Sequence, residues 1–310
     1  MTTAVPAHQA SGAEPATARP TESRRRRRAA AYLALTKPRV VELLLVTTVP
    51  SMVLAARGWP SSTLLIAVLV GGGLSAGGAN AINSYIDRDR DRVMRRTAHR
   101  PIPSGQVSPR AALTFGIALE ALAFVGLWAA ANLLAATLAV GAALFYIFVY
   151  SLWLKPRSAH NIVIGGAAGA APVLVGWAAV RGGLAWPAVV LFAVIFLWTP
   201  AHFWALAVRY REDYAAAGIP MLPVIADDAR TTKGILRYAW ATVLVSLLLY
   251  PVADLGTVYV VSASLLGGYF LWHARRLRRR VAPDAAMSVF KGSNTYLALL
   301  FLAVAMDVLV

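Results

Sequence analysis

The sequence contains no cysteine, which excludes several kinds of chemistry from the outset. Without a thiol the chain can form no disulfide, no thiolate nucleophile and no cysteine-ligated metal centre. Charged residues are also scarce, at 14% of the 310 residues, and the 14 Asp and Glu are outnumbered by 30 Lys and Arg. Most of what remains is apolar, since 58% of the residues are hydrophobic. That composition is typical of a membrane protein.

Nine apolar runs, each about long enough to cross a bilayer as a helix, follow one another along the chain. They cover residues 40–57, 62–85, 111–130, 132–153, 162–180, 185–207, 235–252, 256–273 and 294–310. The loops after every second run are basic, and of the 30 Lys and Arg only Arg57 and Arg181 lie in the other loops. This bias predicts a multi-pass protein of the cell (inner) membrane, with the N-terminus and basic loops cytoplasmic and the C-terminus outside. The net charge of +16 is then explained by the basic cytoplasmic loops, and no nucleic-acid partner is expected.

The first 30 residues differ in composition from the rest of the chain. They are rich in Ala, Pro, Thr and Ser and end in a run of five arginines, Arg24 to Arg28. Such a segment is expected to be a disordered basic tail (residues 1–30) that lies at the cytoplasmic surface and contacts anionic lipid. Residues 31–310 are expected to form one all-α membrane bundle.

A polar stripe is predicted where the second apolar run ends. Asn83, Asp87 and Asp91 fall at i, i+4 and i+8, so a helix would place their oxygen atoms along one face. Hard oxygen ligands at this spacing suit Mg²⁺, which takes one or two carboxylates and completes its shell with water and phosphate oxygens. The alternative is an ordinary charged helix end in solvent.

Basic residues follow the stripe directly, in a loop with Pro101, Pro103 and Gly105. Arginines such as Arg96 and Arg100 would hold the oxygens of a diphosphate that the metal does not reach; the alternative is charge that only fixes topology. A second acidic loop, with Glu212 and Asp213, follows the sixth run. Two acidic loops on one face predict a pseudo-symmetric bundle around a central cavity open to the cytoplasm.

The stripe is similar to the first aspartate-rich motif of the UbiA superfamily of intramembrane prenyltransferases. Over residues 32–310 the chain further resembles the branch of that superfamily formed by the protohaem IX farnesyltransferases, or haem O synthases. The stretches that carry this second resemblance are Leu35–Arg39, Met94–Pro101, Asn161–Gly166, Trp198–Leu206 and Asp213–Val224. Many superfamily members have a second Asp-x-x-x-Asp, whereas here that loop reads Tyr210-Arg211-Glu212-Asp213-Tyr214.

The resemblance implies a reaction in which haem b, farnesyl diphosphate and water give haem O and pyrophosphate, with Mg²⁺ as cofactor. The catalytic residues would be Asn83, Asp87, Asp91 and Asp213. The metal would be held by Asn83, Asp87, Asp91, Glu212 and Asp213. The diphosphate would be contacted by Lys37, Arg39, Arg96, Arg100 and Lys155. The partners would be the two substrates, the lipid bilayer and a haem A synthase that acts next.

Haem requires a site of its own, for which His202 and Trp204 are the candidates. His202 lies near the predicted cytoplasmic end of the sixth run, where it would contact or ligate haem iron, with Trp204 beside it. The alternative for His202 is a hydrogen-bonded histidine that only packs in the bundle.

Other functions fit the same apolar pattern. A quinone or chlorophyll precursor would be the acceptor in other members of the superfamily. A transporter would need functional polar residues on both sides of the membrane, and the outer side has little beyond Asp254 and Asp307. A non-catalytic assembly factor would not depend on Asp87.

Overall fold

The computed structural model describes residues 20–310, and every regular element in this range is helical. The α-helices are α1 (Pro20–Leu35), α2 (Pro38–Ala56), α3 (Ser62–Ile86), α4 (Arg88–Val93), α5 (Pro109–Ala130), α6 (Leu133–Leu144), α7 (Asn161–Arg181), α8 (Trp186–Arg209), α9 (Arg211–Ala216), α10 (Leu222–Ile225), α11 (Asp228–Val252), α12 (Thr257–Arg279) and α13 (Pro283–Leu309). A π-helix, π1 (Phe145–Leu154), continues α6 without a break.

The long helices pack as a ring in chain order. Within residues 20–310 the sequence of neighbours is α2, α3, α5, α6 with π1, α7, α8, α11, α12 and α13, and α13 returns to α2. Helix α2 also packs against α7, and α8 against α13, across the interior of the ring. Eight of these nine helical segments are long and apolar enough to span a membrane, and α12, which ends in basic residues, packs between two of the eight.

The nine predicted apolar runs correspond to these nine segments. The main difference is length: α11 and α13 begin, and α12 ends, well outside the apolar runs. Arg, Lys and Ala favour helix and no proline interrupts these extensions, so the helices continue after hydrophobicity has ended. The largest buried cluster is shared by α7, α8, α11, α12 and α13, and it includes Tyr259, Phe270 and Phe301.

Helix α1 corrects one prediction from the sequence. Residues 20–30, expected to be part of a disordered tail, belong to this helix, while residues 1–19 lie outside the described residues. Arg and Ala are good helix formers, and the end of α1 is fixed by buried Ala31 and Leu35 and by Tyr32, whose ring meets that of Phe115 at 5.0 Å. Arg24 to Arg28 are exposed, and their contact with lipid stays a prediction.

Helices α3 and α5 cross closely at a pair of glycines. A Cβ at Gly116 would lie 2.6 Å from Ile82 Cγ1 and 2.9 Å from the carbonyl oxygen of Gly78. Backbone atoms cannot move aside as a flexible side chain can. The two glycines therefore allow an approach that any larger residue would prevent.

Gly116→Ala is accordingly expected to destabilise the bundle by about 1–3 kcal/mol, the usual cost of overpacking. Gly126→Ala is the matched control, because Gly126 lies on the same helix and has no atom within 4 Å of its Cβ position. Thermal unfolding in detergent measures both variants. Equal midpoints for the two would contradict the close crossing.

Candidate functional site

The polar stripe is preserved in the structure, at the junction of α3 and α4. The amide of Asp87 donates to the carbonyl of Asn83 at 2.9 Å, and the amide of Asp91 donates to that of Asp87 at 2.8 Å, so helical bonding continues through the junction. All three residues are buried, with relative exposures of 2%, 1% and 3% for Asn83, Asp87 and Asp91. An ordinary solvated helix end would leave these side chains exposed, so the burial favours a functional or structural site.

Three basic side chains from distant parts of the chain meet the stripe. The Lys155 ammonium pairs with Asp87, Lys37 Nζ donates to Asn83 Oδ1 at 3.1 Å, and Arg100 Nη1 donates to both oxygens of Asp91 at 2.9 and 2.8 Å. Asn83 also donates from Nδ2 to Asp87 Oδ2 at 2.9 Å. Arg90 adds a fourth basic side chain, with Nη1 3.7 Å from Asp87 Oδ1, so four basic groups meet two carboxylates and the cluster favours an anionic ligand.

The electrostatics of this cluster shift two pKa values. Burial alone would raise the pKa of Asp87, but the charge and hydrogen bond of Lys155, with help from Lys37 and Asn83, hold it below its usual value. The pKa of Lys37 is lowered to about 7, first because its ammonium is withdrawn from solvent and then because Arg100 and Lys155 carry the same charge nearby. A bound diphosphate would favour the charged form of Lys37 again.

Ser151 belongs to the site and was not predicted from the sequence. Its Oγ accepts a hydrogen bond from Asn83 Nδ2 at 2.9 Å and donates to the carbonyl of Tyr146, five residues earlier, at 2.9 Å. The π-helical turn also bonds the amide of Lys155 to the carbonyl of Tyr150. π-turns are frequent at functional sites, and this one directs Ser151 and Lys155 to the stripe. The feature of the sequence that could have identified Ser151 is its position four residues before Lys155, at the end of an apolar run.

The stripe can accommodate a divalent cation. Asp87 Oδ1 is buried and accepts no hydrogen bond, and its ion pair with Arg90 Nη1 is long, at 3.7 Å, so this carboxylate oxygen is available as a ligand. Two carboxylates and one amide oxygen match the few protein ligands that Mg²⁺ uses. Within the part of the chain that the structure describes, no three acidic or histidine side chains group closely enough to hold a metal. Glu212 and Asp213 therefore do not share one closed site with Asp87 and Asp91.

The second acidic loop lines a separate space. A cleft of about 670 Å³ lies between this loop and the loop after α4, and four guanidinium groups line it. We call it the arginine cleft; its basic residues are Arg95, Arg96, Arg209 and Arg211, and Tyr210, Glu212, Asp213 and Asp228 also line it. Arg96 lies over the Tyr210 ring at 5.8 Å, and Arg211 pairs with Asp228. The arginine cleft thus lies at the loops, and the central cavity expected from the sequence stays a prediction.

The predicted diphosphate residues divide into two groups. Lys37, Arg100 and Lys155 contact the stripe directly, as described above. Arg96 instead faces the arginine cleft, and Arg39 is exposed and, among the described residues, makes no ion pair. The structure therefore brings three of the five to Asn83, Asp87 and Asp91.

His202 is tightly packed. Its ring stacks between those of Trp198 and Phe290, at centroid distances of 4.2 and 4.3 Å, and its Nδ1 bonds to Ser293 Oγ at 2.8 Å. These contacts are those of a histidine that packs in the bundle. Because Nδ1 is already bonded, Nε2 is the nitrogen that could reach a ligand. Trp204 is also buried; its ring meets Tyr238 edge-on at 5.4 Å, and its Nε1 has no hydrogen-bond partner.

Comparison with known proteins identifies a matching family and similar curated proteins. The profile of the UbiA prenyltransferase family matches residues 44–304. A curated relative named protoheme IX farnesyltransferase 1, from Saccharopolyspora erythraea, is 55% identical over 98% of this chain and 96% of its own length. A protoheme IX farnesyltransferase from Clavibacter michiganensis subsp. michiganensis is 53% identical over 89% of this chain and 92% of its own length.

Solved structures share the fold at low sequence identity. A digeranylgeranylglyceryl phosphate synthase superposes with a TM-score of 0.75 at 20% identity, over 91% of this chain and 98% of its own. A UbiA homolog from Archaeoglobus fulgidus, bound to DMAPP and Mg²⁺, superposes with a TM-score of 0.64 at 21% identity, over 88% of this chain and 98% of its own.

Proposed function

The chain belongs to the UbiA prenyltransferase family, and from this membership we propose that it transfers a farnesyl group from farnesyl diphosphate to haem b. The new bond joins C1 of the farnesyl group to a vinyl carbon of the porphyrin. Water supplies the hydroxyl group at the neighbouring carbon, and pyrophosphate leaves. The product is haem O, an intermediate of haem A biosynthesis. The farnesyl and haem substrates are inferred from relatives named protoheme IX farnesyltransferase, at 53–55% identity over nearly the whole chain.

One observation carries the proposal for this chain's own residues. A buried stripe of Asn83, Asp87 and Asp91 meets basic side chains from three other segments, and with Arg90 on α4 the basic groups outnumber the carboxylates. Buried charges are costly unless they serve a ligand or each other. The excess of basic groups, together with an Asp87 Oδ1 that accepts no hydrogen bond, is what a metal-bound diphosphate would need.

Asn83, Asp87 and Asp91 would hold the Mg²⁺ ion. Glu212 and Asp213, which line the arginine cleft, are proposed to approach the metal from the second loop when the diphosphate binds, with Asp213 near the reaction. When bound, Mg²⁺ supplies Lewis-acid stabilisation of the leaving diphosphate. The UbiA homolog from Archaeoglobus fulgidus is described with Mg²⁺ and, in another structure, with Cd²⁺. Because Arg100 occupies both oxygens of Asp91, we expect this pair to loosen when a cation binds.

The basic side chains orient the diphosphate and stabilise its growing charge. As the C1–O bond breaks, negative charge accumulates on the oxygens that Lys37, Arg100 and Lys155 would contact. Arg39 and Arg96 are proposed as outer contacts. The apolar helices exclude water from the allylic cation until the electron-rich vinyl carbon attacks it. No side-chain nucleophile is required, which agrees with a sequence that has no cysteine.

We propose His202 and Trp204 as the haem-side residues. Stacking by Trp198 and Phe290 fixes the plane of the imidazole. The Ser293 oxygen can accept a hydrogen bond from Nδ1–H, which would leave Nε2 unprotonated for iron.

His202→Ala is therefore expected to change the Soret spectrum of the haem-loaded protein and to weaken haem binding more than tenfold. Added imidazole should restore the spectrum in part. Ser293→Ala should weaken haem binding less than His202→Ala does, because it removes the partner that orients Nδ1 and keeps Nε2. An unchanged spectrum in His202→Ala would show that this histidine only packs.

The orientation in the membrane is also part of the proposal. The protein is integral to the membrane, with eight helices able to span it among the described residues. The stripe, Lys155 and the arginine cleft lie at one end of the bundle, which the basic loops assign to the cytoplasm, together with the N-terminus. At the other end Asp307 caps α12 by accepting from the Tyr259 amide at 2.9 Å, and the C-terminus would lie outside. A haem A synthase is proposed as the partner that takes up the product.

Product analysis tests the function. Purified protein in detergent receives haem b, farnesyl diphosphate and Mg²⁺, and mass spectrometry detects haem O. Consumption of farnesyl diphosphate with haem b unchanged would assign another acceptor, such as a quinone precursor. If neither substrate is consumed, transport or assembly becomes the leading explanation.

A further inference from the structure

The arginine cleft contains two arginines, Arg95 and Arg209, to which the proposed transfer step gives no role. It lies between the loop after α4 and the start of α9, and its volume of about 670 Å³ is within the range of ligand pockets. Its four guanidinium groups differ in whether they already have a partner. Arg211 is paired with Asp228 and Arg96 lies over Tyr210, whereas Arg95 and Arg209 are exposed and, within residues 20–310, form no ion pair.

The charges of the cleft favour a carboxylate or phosphate ligand. Once Arg211 and Asp228 neutralise each other, three arginines face Glu212 and Asp213, and one positive charge is in excess. Guanidinium groups bind carboxylates by two parallel hydrogen bonds, which gives direction as well as attraction. One unpaired arginine in the loop after α4 and another at the end of α8 therefore suit a ligand that carries two acidic groups.

The cleft adjoins both parts of the proposed reaction site. Arg95 follows Asp91 by four residues, in the loop after α4, and Thr97 in that loop donates to the carbonyl of Asp91 at 3.1 Å. On α8, Arg209 lies seven residues after His202. Two helical turns bring it back to the same face, about 10 Å along the axis.

The chemistry of haem b fixes how it would enter such a site. Its vinyl groups and its two propionates project from opposite edges of the porphyrin. Transfer to a vinyl group requires that edge to face the stripe. The propionates must then point away from Asp87, toward the mouth of the bundle.

We propose that the arginine cleft holds the haem propionates, with Arg95 and Arg209 as the residues that bind them. This inference rests on the proposed function, and it gives the two residues a positioning role: they direct the vinyl edge to the farnesyl diphosphate.

The experiment compares haem b with its dimethyl ester, in which both propionates have lost their charge. Binding to the full-length protein in detergent is measured by Soret titration. The native protein should bind haem b at least tenfold more tightly than the ester, since a hydrogen bond to a charged group contributes enough for such a ratio.

Arg95→Gln and Arg209→Gln should each weaken haem b binding about tenfold and leave ester binding and the KM for farnesyl diphosphate unchanged. Arg92→Gln is the control, because Arg92 is exposed on α4 and contacts Asp89 rather than the cleft.

Equal binding of haem b and ester by the native protein would overturn the proposal without reference to any variant. A raised KM for farnesyl diphosphate in Arg95→Gln or Arg209→Gln would also overturn it, because the cleft would then serve the diphosphate. If the ester is converted to product as well as haem b is, the propionate site fails while the farnesyl transfer stands. If haem b gives no product and no Soret change, both fail.

Discussion

Asp87→Asn is expected to reduce farnesyl transfer about a thousandfold or more. The substitution keeps the shape of the side chain and removes the negative charge that would bind the metal and that pairs with Lys155. A metal ion contributes several kcal/mol to charge stabilisation, and each 1.36 kcal/mol corresponds to a tenfold change in rate. The initial rate of haem O formation, measured over a range of Mg²⁺ concentrations, gives the loss and any shift in metal dependence.

Asp89→Asn is the control for this variant. Asp89 lies two residues away, and its side chain is 67% exposed and pairs with Arg92 at 3.3 Å. We expect its rate to stay close to that of the native protein, since exposed ion pairs contribute little. A rate for Asp87→Asn within tenfold of the native one, in protein that remains folded, would contradict the assignment of the stripe. An assembly factor would give this result.

Lys155→Gln is expected to lower the rate about 100-fold to 1,000-fold, the range seen when one charge-stabilising donor is removed. Lys155 is the direct partner of Asp87, and only 16% of its side chain is exposed. Without it the buried carboxylate loses its strongest counter-charge and the diphosphate loses one contact. Steady-state kinetics with farnesyl diphosphate as the varied substrate should show a raised KM as well as a lower kcat.

The matched change is Lys233→Gln, which removes the same charge from an exposed position on α11. Its kinetics should match those of the native protein. Equal losses in the two variants would mean that overall charge, rather than the contact with Asp87, is responsible. Thermal unfolding of both variants separates a folding defect from a catalytic one, because breaking a buried pair costs about 3–5 kcal/mol.

The sequence was sufficient for the features that depend on local pattern. Nine apolar runs anticipated the nine long helical segments, since hydrophobic length alone decides what can cross a bilayer. The four-residue spacing of Asn83, Asp87 and Asp91 anticipated their common face, because helix geometry fixes which residues align. The family, too, was recognisable from motifs in the sequence and is shown by the match over residues 44–304.

The partners of those residues were decided by the tertiary structure. Lys155 lies 68 residues from Asp87, and Lys37 lies 46 residues from Asn83, so no local spacing pairs them. Ser151 was not identified because its role depends on a π-helical turn that directs it to Asn83. Local pattern determined which side chains could share a helix face. The packing of α2, α3 and π1 determined which charges neutralise one another, because a buried carboxylate is stable only where the folded chain brings it a counter-charge.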